Sequence, residues 1–277
     1  MRRNRDFTST RPITHHSVDC IMENNKSVLF SVRGLGKKFP NGFEALSALD
    51  MDIYEGECLL IAGANGSGKT LLMRILAGLM EASEGKIIFK GKALEECKNL
   101  IRRSLGIVFQ DPDSQILGET VEEDIRFGPA NLKLPKEETE NLVELTLACL
   151  ELKTKRDFAS RHLSGGEKRR LAVAGILAMG CGTIIMDEPF ANLDWPGVTQ
   201  VLKIIRDLKN SGKTIIILTH ELEKVLAFAD RLVILSAGQI KDSGEPESVL
   251  NRLDPLWGVR DPRKTYKSAK DCTWLES

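Results

Sequence analysis

Five short runs in which almost every position is apolar or β-branched punctuate the chain: residues 59–62, 104–109, 183–186, 214–218 and 232–235. Runs of four to six such residues bounded by turn-forming or charged positions read as buried strands. Between them the apolar positions change to the helical period. Leu71, Leu72, Ile75, Leu76 and Leu79 share one face, as do Leu142, Val143, Leu145, Leu147 and Leu150 within 136–152. Residues 167–179 carry Leu171, Ala174, Ile176 and Leu177. The stretch after Asp194 carries Val198, Val201, Leu202, Ile205 and Leu208, and a further helix is expected over 221–229. Ahead of the first buried run, 28–39 and 43–53 read as strands separated by the turn Pro40-Asn41-Gly42. A hairpin-like element follows at 84–91, and Gly238 marks another hairpin turn. Buried strands alternating with amphipathic helices predict an α/β fold.

Three stretches break this pattern. Residues 1–27 are polar and contain no apolar run of the kind a secretory signal needs, so they are expected to be a disordered extension, with Met22 an alternative start. His15-His16 in that extension is given no role. Residues 111–132 are loop-rich with a short acidic helix, followed after the next helix by a basic linker at 153–162. Beyond Leu253 the periodicity dissolves into a tail whose Trp257 and Trp274 could dock on a partner.

Composition narrows the function classes. Lys+Arg and Asp+Glu stand at 39 each, so no net field favours nucleic acid or an anionic membrane. Aromatics make up 5%, too few for a base-stacking platform along a single strand. Cys20, Cys58, Cys97, Cys149, Cys181 and Cys272 are scattered without a CxxC pair, which suits a reducing cytoplasm. No apolar stretch approaches the roughly 18 residues needed to span a bilayer.

Chemistry is concentrated at the ends of the buried strands. After residues 59–62 comes Gly63, Ala64, Asn65, Gly66, Ser67, Gly68, Lys69, Thr70, the GxxxxGK[ST] pattern in a strand–turn–helix context. Its glycines let backbone N–H groups curl around phosphate oxygens, and the helix N-terminus adds partial positive charge. Lys69 would reach the β- and γ-phosphates of a nucleotide and Thr70 would ligate magnesium. The 183–186 run ends in Asp187 and Glu188, one placed to hold Mg2+ and the other to deprotonate a water. The 104–109 run ends at Gln110 and the 214–218 run leads to His220. Ser164-Gly165-Gly166 opens a helix and forms a second candidate anion site. Phe39 belongs either to the core or to the face of a nucleobase.

In order, GANGSGKT, Gln110, LSGGE, TIIMDE, NLD and TH make the chain resemble the ATPase subunit of ABC transporters over residues 28–252. LSGGE separates that family from other P-loop ATPases. The resemblance implies a P-loop core with an N-terminal antiparallel β subdomain and a helical subdomain inserted at about 111–180, with residues 253–277 as a tail. It further implies that Phe39 stacks on adenine, and that Gln110 senses the γ-phosphate and Mg2+. Ser164, Gly165 and Gly166 would bind the γ-phosphate held by an opposite subunit, and Asp194 would signal across the dimer. Asp187 would order Mg2+, Glu188 would be the general base, and His220 would contact the γ-phosphate. ATP and Mg2+ are the implied cofactors, in a homodimer or a heterodimer with a second ATPase.

Within 110–132, the string FQDPDSQ…TVEEDIRFGPANL is similar to the energy-coupling factor and cobalt-type importers. Membership of that group implies a transmembrane coupling protein and a substrate-binding membrane protein for a vitamin or metal ion. The ATPase would then sit peripherally on the cytoplasmic face of the cell membrane. Glu122, Glu123 and Asp124 would lie near the groove that receives the coupling helices, or simply form a solvated helix face. Departures from the family pattern are Ala64 for Pro, Glu167 for Gln, and Trp195 where Pro is usual. The alternative function is an ABC-type ATPase without a transporter, acting on nucleic acid or ribosomes. It is disfavoured because the chain has one P-loop, no sustained heptads and no basic footprint.

Overall fold

The computed structural model describes residues 27–263. The expectations for residues 1–26, with His15, His16 and Met22, and for Trp274 lie outside the described residues. Two sheets organise the rest. Strands β1 (Val28–Lys38), β2 (Glu44–Tyr54), β4 (Glu84–Phe89) and β5 (Lys92–Ala93) form an antiparallel sheet in the order β2-β1-β4-β5. Strands β3 (Cys58–Ala62), β6 (Leu105–Val108), β7 (Thr183–Asp187), β8 (Thr214–Thr219), β9 (Arg231–Ser236) and β10 (Gln239–Gly244) form the second, in the order β10-β9-β3-β8-β7-β6. All its neighbours pair in parallel except β9 and β10.

The uninterrupted apolar runs are explained by cover on both faces of this second sheet. Leu60, Ala62, Ile184, Met186, Ile215, Ile217, Leu232 and Ile234 point into one core. Their alternates Leu59, Ile61, Ile185, Ile216, Leu218, Val233 and Leu235 point into another. The first core is shared with helices α3 (Val121–Asn131), α4 (Lys136–Cys149), α5 (Gly165–Ala178) and α6 (Trp195–Asn210). The second is shared with the antiparallel sheet, α1 (Lys69–Leu76) and α2 (Lys98–Ser104). Each large side chain buried this way contributes about 1.5–3 kcal/mol, so the sheet is a rigid platform for whatever its strand ends carry.

Two local expectations change. The pattern expected over 221–229 is cut to α7 (Leu222–Val225) and a single 3-10 turn, Leu226–Phe228. β9 must begin at Arg231 to pair with Leu59, and Asp230 already accepts the Cys58 N–H at 2.9 Å, so tertiary pairing draws the chain out of the helix. Helix α2 was not expected, although Leu94, Cys97 and Ile101 are buried at helical spacing. In the tail, Trp257 packs against the first core, beyond the short helix α8 (Pro246–Leu250).

The acids of α3 differ from one another: Glu123 is exposed, Glu122 half-buried and Asp124 buried. Asp124 is buried and accepts the Leu117 and Gly118 N–H groups at 2.7 and 2.9 Å. Glu123 completes a capping box with Thr120. Glu122 bonds both Arg126 and Arg156, which in turn hold Glu140 and Glu144, so one ion network ties α3 to α4. Bonding to the two guanidinium groups lowers the Glu122 carboxyl from 4.5 to about 2. Its stabilisation is therefore complete above pH 4.5 and is lost as the pH falls toward 2. Glu122→Gln is expected to cost about 1 kcal/mol at neutral pH, screening having reduced the full linkage value. It should also flatten the acid limb of the stability–pH curve. Identical acid limbs in urea titrations of the two proteins would deny the network any role.

Candidate functional site

Adjacent strands of the second sheet, in the order β3-β8-β7-β6, deliver the predicted residues at their C-terminal ends. β3 runs into residues 63–70, β8 into His220, β7 ends at Asp187 with Glu188 next, and Gln110 follows β6. Ligands of open α/β sheets bind at this edge. A cleft of about 450 Å³ opens there, lined by Asn65, Gly66, Ser67, Gly68, Lys69, Thr70, Gln110, Glu188 and both Phe39 and Phe43.

The turn before α1 can only be made by glycine where it matters most. A Cβ on Gly63 would lie 2.1 Å from the Leu235 carbonyl oxygen, and Gly68 has φ 105° with a would-be Cβ 2.6 Å from Leu46. The β9–β10 hairpin also clamps the loop, since Gly238 N–H donates to the Ser67 carbonyl at 3.1 Å. The shape of the loop is thereby fixed by contacts within the chain.

From this loop a connected set of polar side chains crosses to β7 and β8. Thr70 Oγ1 donates to Asp187 Oδ2 at 2.8 Å. Lys69 Nζ donates to the Gly63 and Ala64 carbonyls at 2.7 and 3.2 Å and stands 3.4 Å from Glu188 Oε1. The same Oε1 accepts from His220 Nδ1 at 3.0 Å, and Thr219 Oγ1 donates to Oε2 at 2.9 Å. Because an ionised carboxylate can only accept, this contact assigns the proton to Nδ1 of His220. Glu188 has φ 45°, a left-handed conformation that costs a bulky residue on the order of 1 kcal/mol. Its N–H bonds the Leu218 carbonyl at 2.8 Å, and Phe190, fully buried, anchors the turn beyond it.

Two buried oxygens in this set have no hydrogen-bond partner, Asp187 Oδ1 and Ser67 Oγ. Burial, the largest influence, pushes the Asp187 carboxyl above its usual range, partly countered by the Thr70 hydroxyl. An unsatisfied carboxylate oxygen beside a threonine hydroxyl is the donor set of a hard divalent cation that also takes phosphate oxygens and waters. Among the described residues no three His, Cys, Asp or Glu side chains cluster to hold a metal alone.

Phe39 is half-buried and lines the cleft, which removes the core alternative. Phe43, not expected, stands with it: the ring centroids are 6.4 Å apart at 15° between planes, and Phe43 is 61% exposed. Gln110 is exposed toward the cleft. Its carbonyl and that of Phe109 accept bonds from Arg169, another residue that motif spacing did not single out. Ser164, Gly165, Gly166 and Asp194 are not brought into this cleft. They lie together elsewhere on the surface, each capping residue serving its own helix. Ser164 forms a capping box with Glu167, and Asp194 Oδ1 accepts the Gly197 N–H at 2.9 Å. Gly165 faces Leu193 and Gly166 faces Gly197, so residues 164–166 and the start of α6 share one patch.

A model of the family described as ABC transporter matches residues 46–191. The chain belongs to the ABC transporter ATPase family. It is an ATP-binding, ATP-hydrolysing transporter subunit, as the order of its motifs implied. The ATPase is 38% identical over 222 residues to the energy-coupling factor transporter ATP-binding protein EcfA of Methanocaldococcus jannaschii, covering 79% of this chain and 80% of that one. It is 40% identical over 216 residues to EcfA of Carboxydothermus hydrogenoformans, with 77% and 80% covered. The structure of cbiO1 from Clostridium perfringens, described as part of the ABC transporter complex cbiONQ, superposes with a TM-score of 0.76 at 34% identity. That match covers 82% of this ATPase and 92% of cbiO1, and bears out the P-loop α/β fold with its antiparallel β subdomain.

Proposed function

We propose that this ATPase hydrolyses Mg2+·ATP to drive an energy-coupling factor type importer of a vitamin or transition-metal ion. The observation that carries it is the bonded series Thr70–Asp187, Lys69–Glu188 and Glu188–His220 along one sheet edge. Thr70, Asp187 and Gln110 would hold the magnesium ion, which when bound supplies charge neutralisation on the phosphate oxygens. Lys69 and the N–H groups of residues 63–70 bind the phosphates, and Phe39 stacks on adenine. Glu188 orients a water and takes its proton, while His220 steadies the carboxylate and faces the γ-phosphate.

The site needs a second subunit. Ser164, Gly165 and Asp194 are exposed and Gly166 half-buried, all away from the cleft of their own chain, which suits residues that complete the cleft of a facing ATPase, either a copy of this chain or a relative. Among the described residues no helix is long and apolar enough to cross a membrane. Transport therefore calls for membrane partners: a transmembrane coupling protein and a substrate-binding membrane protein, reached from the cytoplasmic face. The names of the EcfA relatives support this assignment.

Affinity purification of the tagged protein from its own membranes in mild detergent tests the proposal. The expected result is recovery of a multi-span protein together with a small substrate-binding membrane protein. Recovery of ribosomes or DNA with no membrane protein would leave the ATPase and remove the importer.

A further inference from the structure

Helix α5 and the segment following β6 are bonded to each other at three places. Lys168 Nζ donates to Asp113 Oδ1 at 2.6 Å. Gln115 accepts the Phe109 N–H at 3.2 Å and donates to the Ala172 carbonyl at 3.3 Å. The third link is the most buried. Arg169 Nη1 donates to the Phe109 carbonyl at 2.5 Å and Nη2 to the Gln110 carbonyl at 2.9 Å.

Arg169 is an unusual residue to find in this position. It is 2% exposed, heads the largest fully buried side chains, and its Nε has no partner. Asp111 and Asp187 act on it only through space, and no carboxylate among the described residues forms an ion pair with it. A guanidinium buried without a carboxylate carries a desolvation cost that its two bonds to carbonyls offset only in part. What the planar fork supplies is geometry. Its two N–H groups hold the carbonyls that flank the Gln110 Cα, and so set where the Gln110 side chain enters the cleft.

We infer that Arg169 is a positioning residue for Gln110, coupling the nucleotide cleft to helix α5, which Ser164 caps and whose first turn carries Gly165 and Gly166. A displacement of that helix is delivered to Gln110 through the fork, with Gln115 and Lys168 keeping the segment in step. This rests on the ATPase role proposed above for Gln110.

The test uses the full-length chain and compares Arg169→Met, Arg169→Lys and Gln110→Ala with the parent for Mg2+·ATP turnover, nucleotide affinity and melting temperature. Arg169→Met removes the donor to the Phe109 and Gln110 carbonyls, so it should melt lower than the parent while still binding a non-hydrolysable ATP analogue within about two-fold. Its kcat should fall about 10–100-fold, the effect of displacing a group near the chemistry by about 1 Å. Arg169→Lys, which keeps the charge but reaches fewer acceptors, should fall between, and it carries the comparison if the methionine variant does not fold. Adding Arg169→Met to Gln110→Ala should cost nothing more, because both act through one group. Unchanged kcat, or a loss that the lower melting temperature alone accounts for, would overturn the inference and leave the ATPase standing. Additive losses in the double variant would overturn it as well. Absence of turnover in the parent protein would remove the ATPase role and this inference together.

Discussion

Glu188→Gln is expected to keep ATP and lose turnover by about 10²–10⁴-fold, the contribution of a positioned general base. The substitution is nearly isosteric. Its amide oxygen can still accept from Thr219 or His220, which now bond the two carboxylate oxygens at 2.9 and 3.0 Å. What it cannot do is take a proton from water. The neutral amide also attracts Lys69 less than the carboxylate does, so the ammonium that now stands 3.4 Å from Glu188 Oε1 turns more readily toward the phosphates. Affinity should therefore hold or rise while hydrolysis stops. Single-turnover kinetics beside equilibrium binding would check both halves. Parental turnover in the variant would mean another group takes the proton, and the strained backbone at Glu188 would need a different explanation.

Lys69→Met should act in the opposite sense, removing ATP binding first. Lys69 is 6% exposed, its ammonium donates to the Gly63 and Ala64 carbonyls, and its N–H groups can turn from them to phosphate oxygens. Losing two charge-assisted hydrogen bonds costs about 3 kcal/mol, or roughly 100-fold in affinity. The empty protein should also melt lower, because Glu188 is left buried without its cation. Removing one partner of a buried pair costs about 3–5 kcal/mol when nothing replaces it, and Thr219 and His220 replace part. Combining Lys69→Met with Glu188→Gln should therefore restore melting temperature but not binding. ATP titration within two-fold of the parent would sink the assignment of Lys69 to the phosphates.

These two residues differ in how visible they are before folding. Lys69 was legible because the loop is one continuous string whose turn is dictated by short-range sterics at Gly63 and Gly68. Glu188 was legible only through its strand, since an acid after four buried residues must emerge at a strand end. Phe43 was missed because one aromatic in a turn looks like any other until its ring is seen beside Phe39. Arg169 was missed because a basic residue in a helix reads as a solvated one, and only packing shows that it is buried. Glu122, Glu123 and Asp124 are consecutive acids with three different fates, set by what lies opposite each on α4 and in the loops.

The chain's own residues determined the family, the phosphate loop, the buried strands and the acids that end them, because each depends on neighbours a few positions away. Tertiary structure alone decided the rest. It set the strand order that brings residues 63–70, His220, Glu188 and Gln110 to one edge, cut the helix after Glu221 short, and left Ser164, Gly165, Gly166 and Asp194 on a separate patch. Strand pairing joins segments more than a hundred residues apart, as Leu59 with Ile216. Local periodicity carries no record of which apolar run will lie beside which; that choice is made by the burial of both faces of the sheet at once.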